Sequence, residues 1–460
     1  MSLMKSVSGV VTTGIYCRPG CTARPNAENV TKFPLAAAAE AAGYRACLRC
    51  RPYRSPQVVP STAPELVCRA VRMILDGGLD GPTEEVLASR LGVSARHLRR
   101  LFAEHLGVTP DGLARSARAH GARRLLDDTD LSITQVAYAA GYGSLRQFNR
   151  ACHDIFRASP RELRARRRVK DRLVADGGLA LRLPYEGPLD WDAMLEDFAA
   201  HAVPGVEQVS GRIYRRTVVI DGDPGVLELC PDVGDALVLL AHLPHWSELL
   251  HLVKRARHIA NLDLDLEEPI RALSRDPVLG PSVARAPGRR PPGTWDPFET
   301  GVQAIIRQSR DAAAASRITG DLVQEVGTRV PGLESLGLTH AFPAAETVAR
   351  ADLSRLAITR VEREAIGAFA RAVRDDAVRL DRSVTLERLV GGLVAVGGMQ
   401  TSTAHYVALR LGELDALPYA DDPQGAVTQT VIESWRPWRA LAAMHLPPRI
   451  TTSAADRSAA

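Results

Sequence analysis

The chain changes its hydrophobic rhythm along its length. Leu66, Ala70, Met73 and Ile74 recur at helical spacing and predict a helix over 63–76. Two later stretches share one design. In 84–102 a helical pattern stops at Gly92, which permits a tight turn, and Ser94 stands where it caps a following helix. In 133–150 Gly141 and Ser144 take the same places. Each stretch reads as helix-turn-helix. The period then shortens to two: 179–185, 211–220, 226–230 and 237–240 read as strands. From Pro297 onward the pattern is that of helices joined by short loops. An α+β piece is thus followed by an all-α piece. A turn- and proline-rich segment, 54–61, sets the first fifty residues apart as a unit.

A chain of 460 residues, 45% hydrophobic, predicts several domains with ordinary cores. The net charge of +5 says little, but its distribution does: arginine crowds 90–172 and ends in a basic run over 161–170. Such a block beside helices suits phosphate contacts. No run of about twenty apolar residues marks a membrane span, and the first residues lack a signal-peptide core, so the expected location is the cytoplasm.

Four of the seven cysteines lie in the first fifty residues, as Cys17-x3-Cys21 and Cys47-x2-Cys50. Two close pairs separated by a loop that can fold back are able to close a tetrahedron around Zn2+. The odd total also fits a reducing compartment with a metal site better than a disulfide framework. Cys68, Cys152 and Cys230 sit among apolar residues and are expected to be packing residues.

The flanks sharpen the picture. Thr12-Thr13-Gly14-Ile15-Tyr16-Cys17-Arg18-Pro19-Gly20-Cys21 and Gly43-Tyr44-Arg45-Ala46-Cys47-Leu48-Arg49-Cys50-Arg51-Pro52 resemble the amino-terminal domain of the Ada alkylation-response proteins. The paired helix-turn-helix units, closed by Phe156-Arg157-Ala158-Ser159-Pro160-Arg161-Glu162-Leu163, resemble the AraC-type DNA-binding domain. The second half resembles the AlkA-type DNA glycosylases, on Trp295-Asp296-Pro297-Phe298-Glu299-Thr300-Gly301 through Gln308 and on Trp435-Arg436-Pro437-Trp438-Arg439-Ala440. The expected fold is multidomain and mainly α with α+β parts. It comprises a zinc domain (1–59), a double helix-turn-helix (60–170), a small sheet domain (176–295) and a helix-hairpin-helix bundle (296–450).

These resemblances imply a function. Cys17 would take a methyl group from a DNA phosphotriester, with Cys21, Cys47 and Cys50 as the other zinc ligands. Ser94, Arg96, His97, Arg99 and Arg100 in the first unit, and Ser144, Arg146, Gln147, Asn149 and Arg150 in the second, would meet double-stranded DNA. The arginines suit phosphates or guanine edges, and Gln147 and Asn149 suit adenine. Partners would be alkylated DNA and a promoter operator, with the chain acting as a monomer.

In the glycosylase half, Asp421, or its neighbour Asp422, matches the family's aspartate three positions after a proline. Gly398 matches one glycine of the hairpin that clamps a phosphate. Gln400 replaces the second hairpin glycine, Ser402 the usual aromatic, and Leu446-Pro447-Pro448 stands where a pocket aromatic is common. These departures predict weak excision of 3-methyladenine-type bases, or DNA binding alone. No cysteine follows Cys230, so the Pro-Cys-His motif of a second methyl acceptor does not occur.

Overall fold

The computed structural model describes residues 6–23, 25–55, 63–168, 171–173, 177–418 and 429–446. The first module is a four-stranded sheet, β1 (Val7–Val10), β2 (Ile15–Cys17), β3 (Val30–Phe33) and β4 (Arg45–Ala46), in the order β3-β1-β2-β4, with helix α1 (Ala36–Ala41). Gly9 is required in β1, because a Cβ there would meet the rings of Phe33 and Tyr44 at 2.8 and 2.9 Å.

Seven helices follow: α2 (Glu65–Leu75), α3 (Glu84–Arg90), α4 (Ala95–Leu106), α5 (Pro110–Asp128), α6 (Ile133–Ala139), α7 (Leu145–Phe156) and α8 (Pro160–Ala165). The pairs α3–α4 and α6–α7 are the two helix-turn-helix units, and the long α5 joins them. Both turns are made by a left-handed glycine, Gly92 and Gly141, each at φ 74°. Both second helices start on a serine cap, Ser94 Oγ accepting from His97 N and Ser144 Oγ from Gln147 N, at 3.2 Å each. The small side chains of Ala36, Ala37 and Ala39 let α1 pack closely among these helices. Ala37 joins the core of the first unit, while Ala36 and Ala39 join that of the second.

The sheet domain contains β5 (Leu179–Pro184), α9 (Trp191–His201), β6 (Glu207–Ser210), β7 (Ile213–Ile220), β8 (Asp223–Pro231) and β9 (Ala236–His242). Its strands run antiparallel in the order β5-β9-β8-β7-β6. Four strands match the expected segments; β6 was not foreseen. Helices α10 (Leu249–Ile259), α11 (Glu267–Leu273) and α12 (Gly280–Arg285) lead into the bundle.

The bundle comprises α13 (Pro297–Arg307), α14 (Ala312–Val326), α15 (Ala345–Arg350), α16 (Arg360–Arg374), α17 (Leu386–Gly397), α18 (Thr401–Arg410), α19 (Gln429–Ser434) and α20 (Arg439–His445). It is not wholly helical: β10 (Thr328–Arg329) and β11 (His340–Ala341) form a short antiparallel pair. Trp295 and Trp435 have structural uses. The Arg216 and Arg255 guanidinium groups lie 4.8 and 5.7 Å from the Trp295 ring centre, and Trp435 Nε1 donates to Asp276 at 2.8 Å.

One continuous apolar core joins the first module, the second helix-turn-helix unit and the sheet domain. Leu250 of α10 packs on α5 at Gly121, where a Cβ would lie only 2.7 Å from it. Around that contact, Asp80 accepts from Arg118 at 3.1 Å and from Lys254 at 2.9 Å. Cys68 and Cys152 are buried as expected, and Cys230 is half-buried.

Candidate zinc centre and nucleic-acid interface

The parallel pairing of β2 with β4 brings the two cysteine pairs together. Tyr16 sits opposite Ala46, and Cys47 N donates to the Tyr16 carbonyl at 2.9 Å, so Cys17 and Cys47 emerge side by side. Gly20, at φ 74°, turns the chain so that Cys21 faces back. Arg51 in the left-handed region, with its N–H on the Cys47 carbonyl at 2.9 Å, returns Cys50 in the same way. The four sulfurs all lie within 4.8 Å of one another. Four sulfurs around one zinc stand about 3.8 Å apart, given a bond of about 2.3 Å and tetrahedral angles. The donor set therefore fits Zn2+.

Electrostatics agrees. Burial, and then the charges of Cys50 and Cys47, push the Cys17 thiol far above its ordinary range. Burial pushes Cys50 up to about 12. Burial also opposes ionisation of Cys47, but hydrogen bonds from the Cys50 and Arg49 backbone outweigh it and lower the value. Thiolates packed this closely coexist when a divalent cation neutralises them.

A buried polar joint fastens this centre to α5. Tyr16, next to Cys17, donates its hydroxyl to Glu40 Oε1 at 2.6 Å, and His120 Nε2 of α5 lies 2.6 Å from the same oxygen. Beyond Cys50, Arg51 pairs with Asp171 and lies 3.7 Å from Asp127. Tyr53 donates to Asp127 at 2.9 Å and Arg54 pairs with Asp127 and Asp128. Arg123 closes the set on Asp127, also at 2.9 Å. The sequence singled out none of these partners.

On the recognition helices, Arg96, Arg146, Gln147 and Arg150 are exposed. The three arginine side chains are free of hydrogen bonds and ion pairs among the described residues, which leaves them available to DNA. Others are partly engaged. Arg99 pairs with Glu84 and Glu85, and Arg100 with His97 and Glu104. The Asn149 amide donates to the Leu145 carbonyl at 2.8 Å. Within the basic run, Arg164 donates to the Leu131 carbonyl, Arg167 to the Thr129 carbonyl and Asp130, and Arg168 to the Arg49 carbonyl, while Arg161 and Arg166 are exposed.

Gly398, at φ 61°, ends α17 and turns the hairpin into α18, with Met399 buried beneath it. Gln308 latches this hairpin: its amide nitrogen donates to the Gly398 carbonyl at 3.5 Å and its oxygen accepts from Gln400 N at 3.3 Å. One backbone amide of the hairpin is thus already used. Asp421, Asp422, Pro447 and Pro448 lie outside the described residues.

A thiolate metal centre joined to a double helix-turn-helix and a hairpin-bearing bundle defines a composite DNA-binding protein. Three family models match in that order: the metal binding domain of Ada over 5–53, a helix-turn-helix domain over 87–166, and the AlkA N-terminal domain over 180–296. A probable bifunctional transcriptional activator/DNA repair enzyme AlkA of Mycobacterium tuberculosis is 37% identical over 457 residues, 96% of this chain and 92% of that one. The chain belongs to this family of bifunctional transcriptional activator/DNA repair proteins.

The DNA-3-methyladenine glycosylase 2 of Escherichia coli is 29% identical, over 57% of this chain and 95% of its own length. The Escherichia coli bifunctional transcriptional activator/DNA repair enzyme Ada is 32% identical over 34% of this chain and 44% of its own. Among solved structures, a 3-methyladenine DNA glycosylase from Archaeoglobus fulgidus superposes on 57% of this chain and 96% of its own with a TM-score of 0.48 at 20% identity. No helix among the described residues is long and apolar enough to cross a membrane.

Proposed function

We propose that this chain repairs alkylated DNA and reports the damage as a transcription signal. The carrying observation is the cluster of four cysteine sulfurs within 4.8 Å of one another. Cys17, Cys21, Cys47 and Cys50 hold zinc, which when bound keeps sulfur ionised and nucleophilic at neutral pH. Cys17 Sγ attacks the methyl carbon of a backbone phosphotriester. A C–S bond forms as the C–O bond breaks, and the phosphodiester leaves with the electron pair and a negative charge. One thiolate charge is lost as a neutral thioether forms. Repulsion of nearby phosphate falls, and binding of a promoter operator tightens. Two recognition helices in one chain let a monomer read two successive major grooves.

The glycosylase half excises 3-methyladenine-type bases. Such bases carry positive charge and leave readily, so one carboxylate, Asp421, suffices to stabilise the cationic sugar while the extruded base is held. The hairpin around Gly398 grips the phosphate backbone. A second reading, in which this half binds DNA without excising bases, draws support from the Gln400 amide being held by Gln308.

Peptide mass spectrometry after incubation with DNA carrying methylphosphotriesters tests the first activity: one methyl group on Cys17 is expected. Zinc content without that mass gain would reduce the site to a structural one. Release of 3-methyladenine from alkylated duplex, present in wild type and abolished in Asp421→Asn with binding retained, tests the second. Release that survives the substitution would assign the wrong carboxylate. No release from wild type would favour the binding-only reading.

A further inference from the structure

The bundle has two ends, and only one of them faces the regulatory half. Helices α16, α17 and α18 pack side by side. At one end lie the Gly398–Gln400 hairpin and the start of α16, where Glu362 holds Arg310 and accepts from Ser309 Oγ at 2.7 Å. Gln308 ties that end together.

At the other end, the segment between α16 and α17 docks on the first helix-turn-helix unit and α2. Arg379 donates to the Arg90 carbonyl at 3.2 Å, and Asp381 pairs with Arg90 at 3.3 Å. Arg69 donates to the Ser383 carbonyl at 3.0 Å. Arg382, bonded to the Leu411 carbonyl just past α18, reaches Asp76 at 3.9 Å. The twelve residues of α17 separate the two ends by about 18 Å at 1.5 Å per residue.

The docking joint keeps these ends apart. It continues into α10, where Arg382 lies 3.1 Å from His258 Nδ1, and on to Leu250 on Gly121 and Asp80 between Arg118 and Lys254. Docking leaves the recognition helices open: Arg96, Arg146 and Arg150 remain exposed. The hairpin end is also equipped for phosphate. No side chain caps the first turn of α18, and Arg307, at the close of α13, makes no ion pair among the described residues.

We propose that one chain binds two separate duplex segments at once, one on the helix-turn-helix face and one on the hairpin end. This rests on the DNA-binding reading of both halves given above. Damaged DNA held by the glycosylase half is then brought beside an operator without leaving the protein.

The test uses the full chain and two short duplexes. One is a biotin-tagged duplex selected from a random pool by the methylated protein; the other is a fluorescent, methylating-agent-treated duplex of unrelated sequence. The tagged duplex should capture the fluorescent one only when protein is present. Analytical ultracentrifugation should give the mass of one chain with two duplexes. Arg96→Glu with Arg146→Glu should lose the tagged duplex alone, and Thr401→Asp, which puts a negative charge at the open start of α18, the fluorescent one alone. Mutual displacement of duplexes that each bind singly would overturn the proposal, as would a bridging species containing two chains. Failure of the fluorescent duplex to bind by itself would instead refute the DNA-binding reading of the glycosylase half, and the proposal with it.

Discussion

Tyr53 donates its hydroxyl to the carboxylate of Asp127 at 2.9 Å, with both side chains buried. Tyr53 lies three residues past the last zinc-site cysteine, and Asp127 lies on the helix that spans the two helix-turn-helix units. The metal module and the operator-reading module therefore share a buried ionic joint.

Removing the acceptor should be costly. Asp127→Ala leaves Arg51, Arg54 and Arg123 facing a buried gap and is expected to destabilise the protein by about 3–5 kcal/mol. Tyr53→Phe, which removes one hydrogen bond and leaves the charges paired, should cost about 1 kcal/mol. Guanidinium unfolding of the two variants measures the difference. Equal, small losses would show that the joint contributes little.

Zinc removal should reach beyond the sulfurs. Tyr16 and Arg51 adjoin ligand cysteines and are the residues that grip Glu40, His120 and Asp171. Chelation should therefore lower the thermal midpoint of the helix-turn-helix region as well as release one metal per chain. Hydrogen exchange at α5 is the readout. Unchanged protection there after zinc loss would mean that the modules are energetically independent.

DNA affinity should divide the recognition residues into two groups. Arg96→Glu and Arg146→Glu remove free, exposed guanidinium groups and should each weaken operator binding by about 1–3 kcal/mol. Asn149→Ala should have a much smaller effect, because that amide is spent on the Leu145 carbonyl. Fluorescence anisotropy titrations at fixed salt would rank them, and a large loss for Asn149→Ala would show that the amide turns outward on DNA.

Acid should destabilise the second half at mild pH. Burial, and then neighbouring arginines, lower His201 and His258 to about 3, and burial followed by Arg289 lowers His445 to about 4. Their folded values lie below the ordinary 6.5, so the unfolded chain binds more protons once pH falls below 6.5. The stability these groups contribute is complete above that value and declines toward pH 4, by up to about 1.4 kcal/mol per pH unit for each. Urea midpoints across pH 7.5 to 4.5 check the slope; a flat profile would mean that these rings take up protons in the folded state.

The helix-turn-helix units were legible because their signals are local. Gly92 and Gly141 allow the left-handed turn, and Ser94 and Ser144 cap the next residues, within a few positions of each other. The cysteine pairs were legible for the same reason. Strand β6 was not: Glu207-Gln208-Val209-Ser210 shows no apolar alternation, because none of its four residues is fully buried.

The ionic joint was hidden for a deeper reason. Arg123, Asp127 and Asp128 on α5 look in sequence like a solvated helix face, yet all three are buried against a module about 75 residues earlier in the chain. The basic run carries a similar lesson. Three of its arginines, Arg164, Arg167 and Arg168, are engaged by backbone carbonyls and Asp130, which charge spacing alone does not reveal.

Leu250, seated on Gly121, bears on how a chain of this kind changes over generations. Its second half is similar to a glycosylase that is a whole protein in itself. In this chain the two halves are fitted to each other. Any side chain at position 121 would require Leu250 to shift. A foreign regulator spliced onto this glycosylase half would leave Leu250 and its α10 neighbours facing water, and expressed alone that half should be prone to self-association.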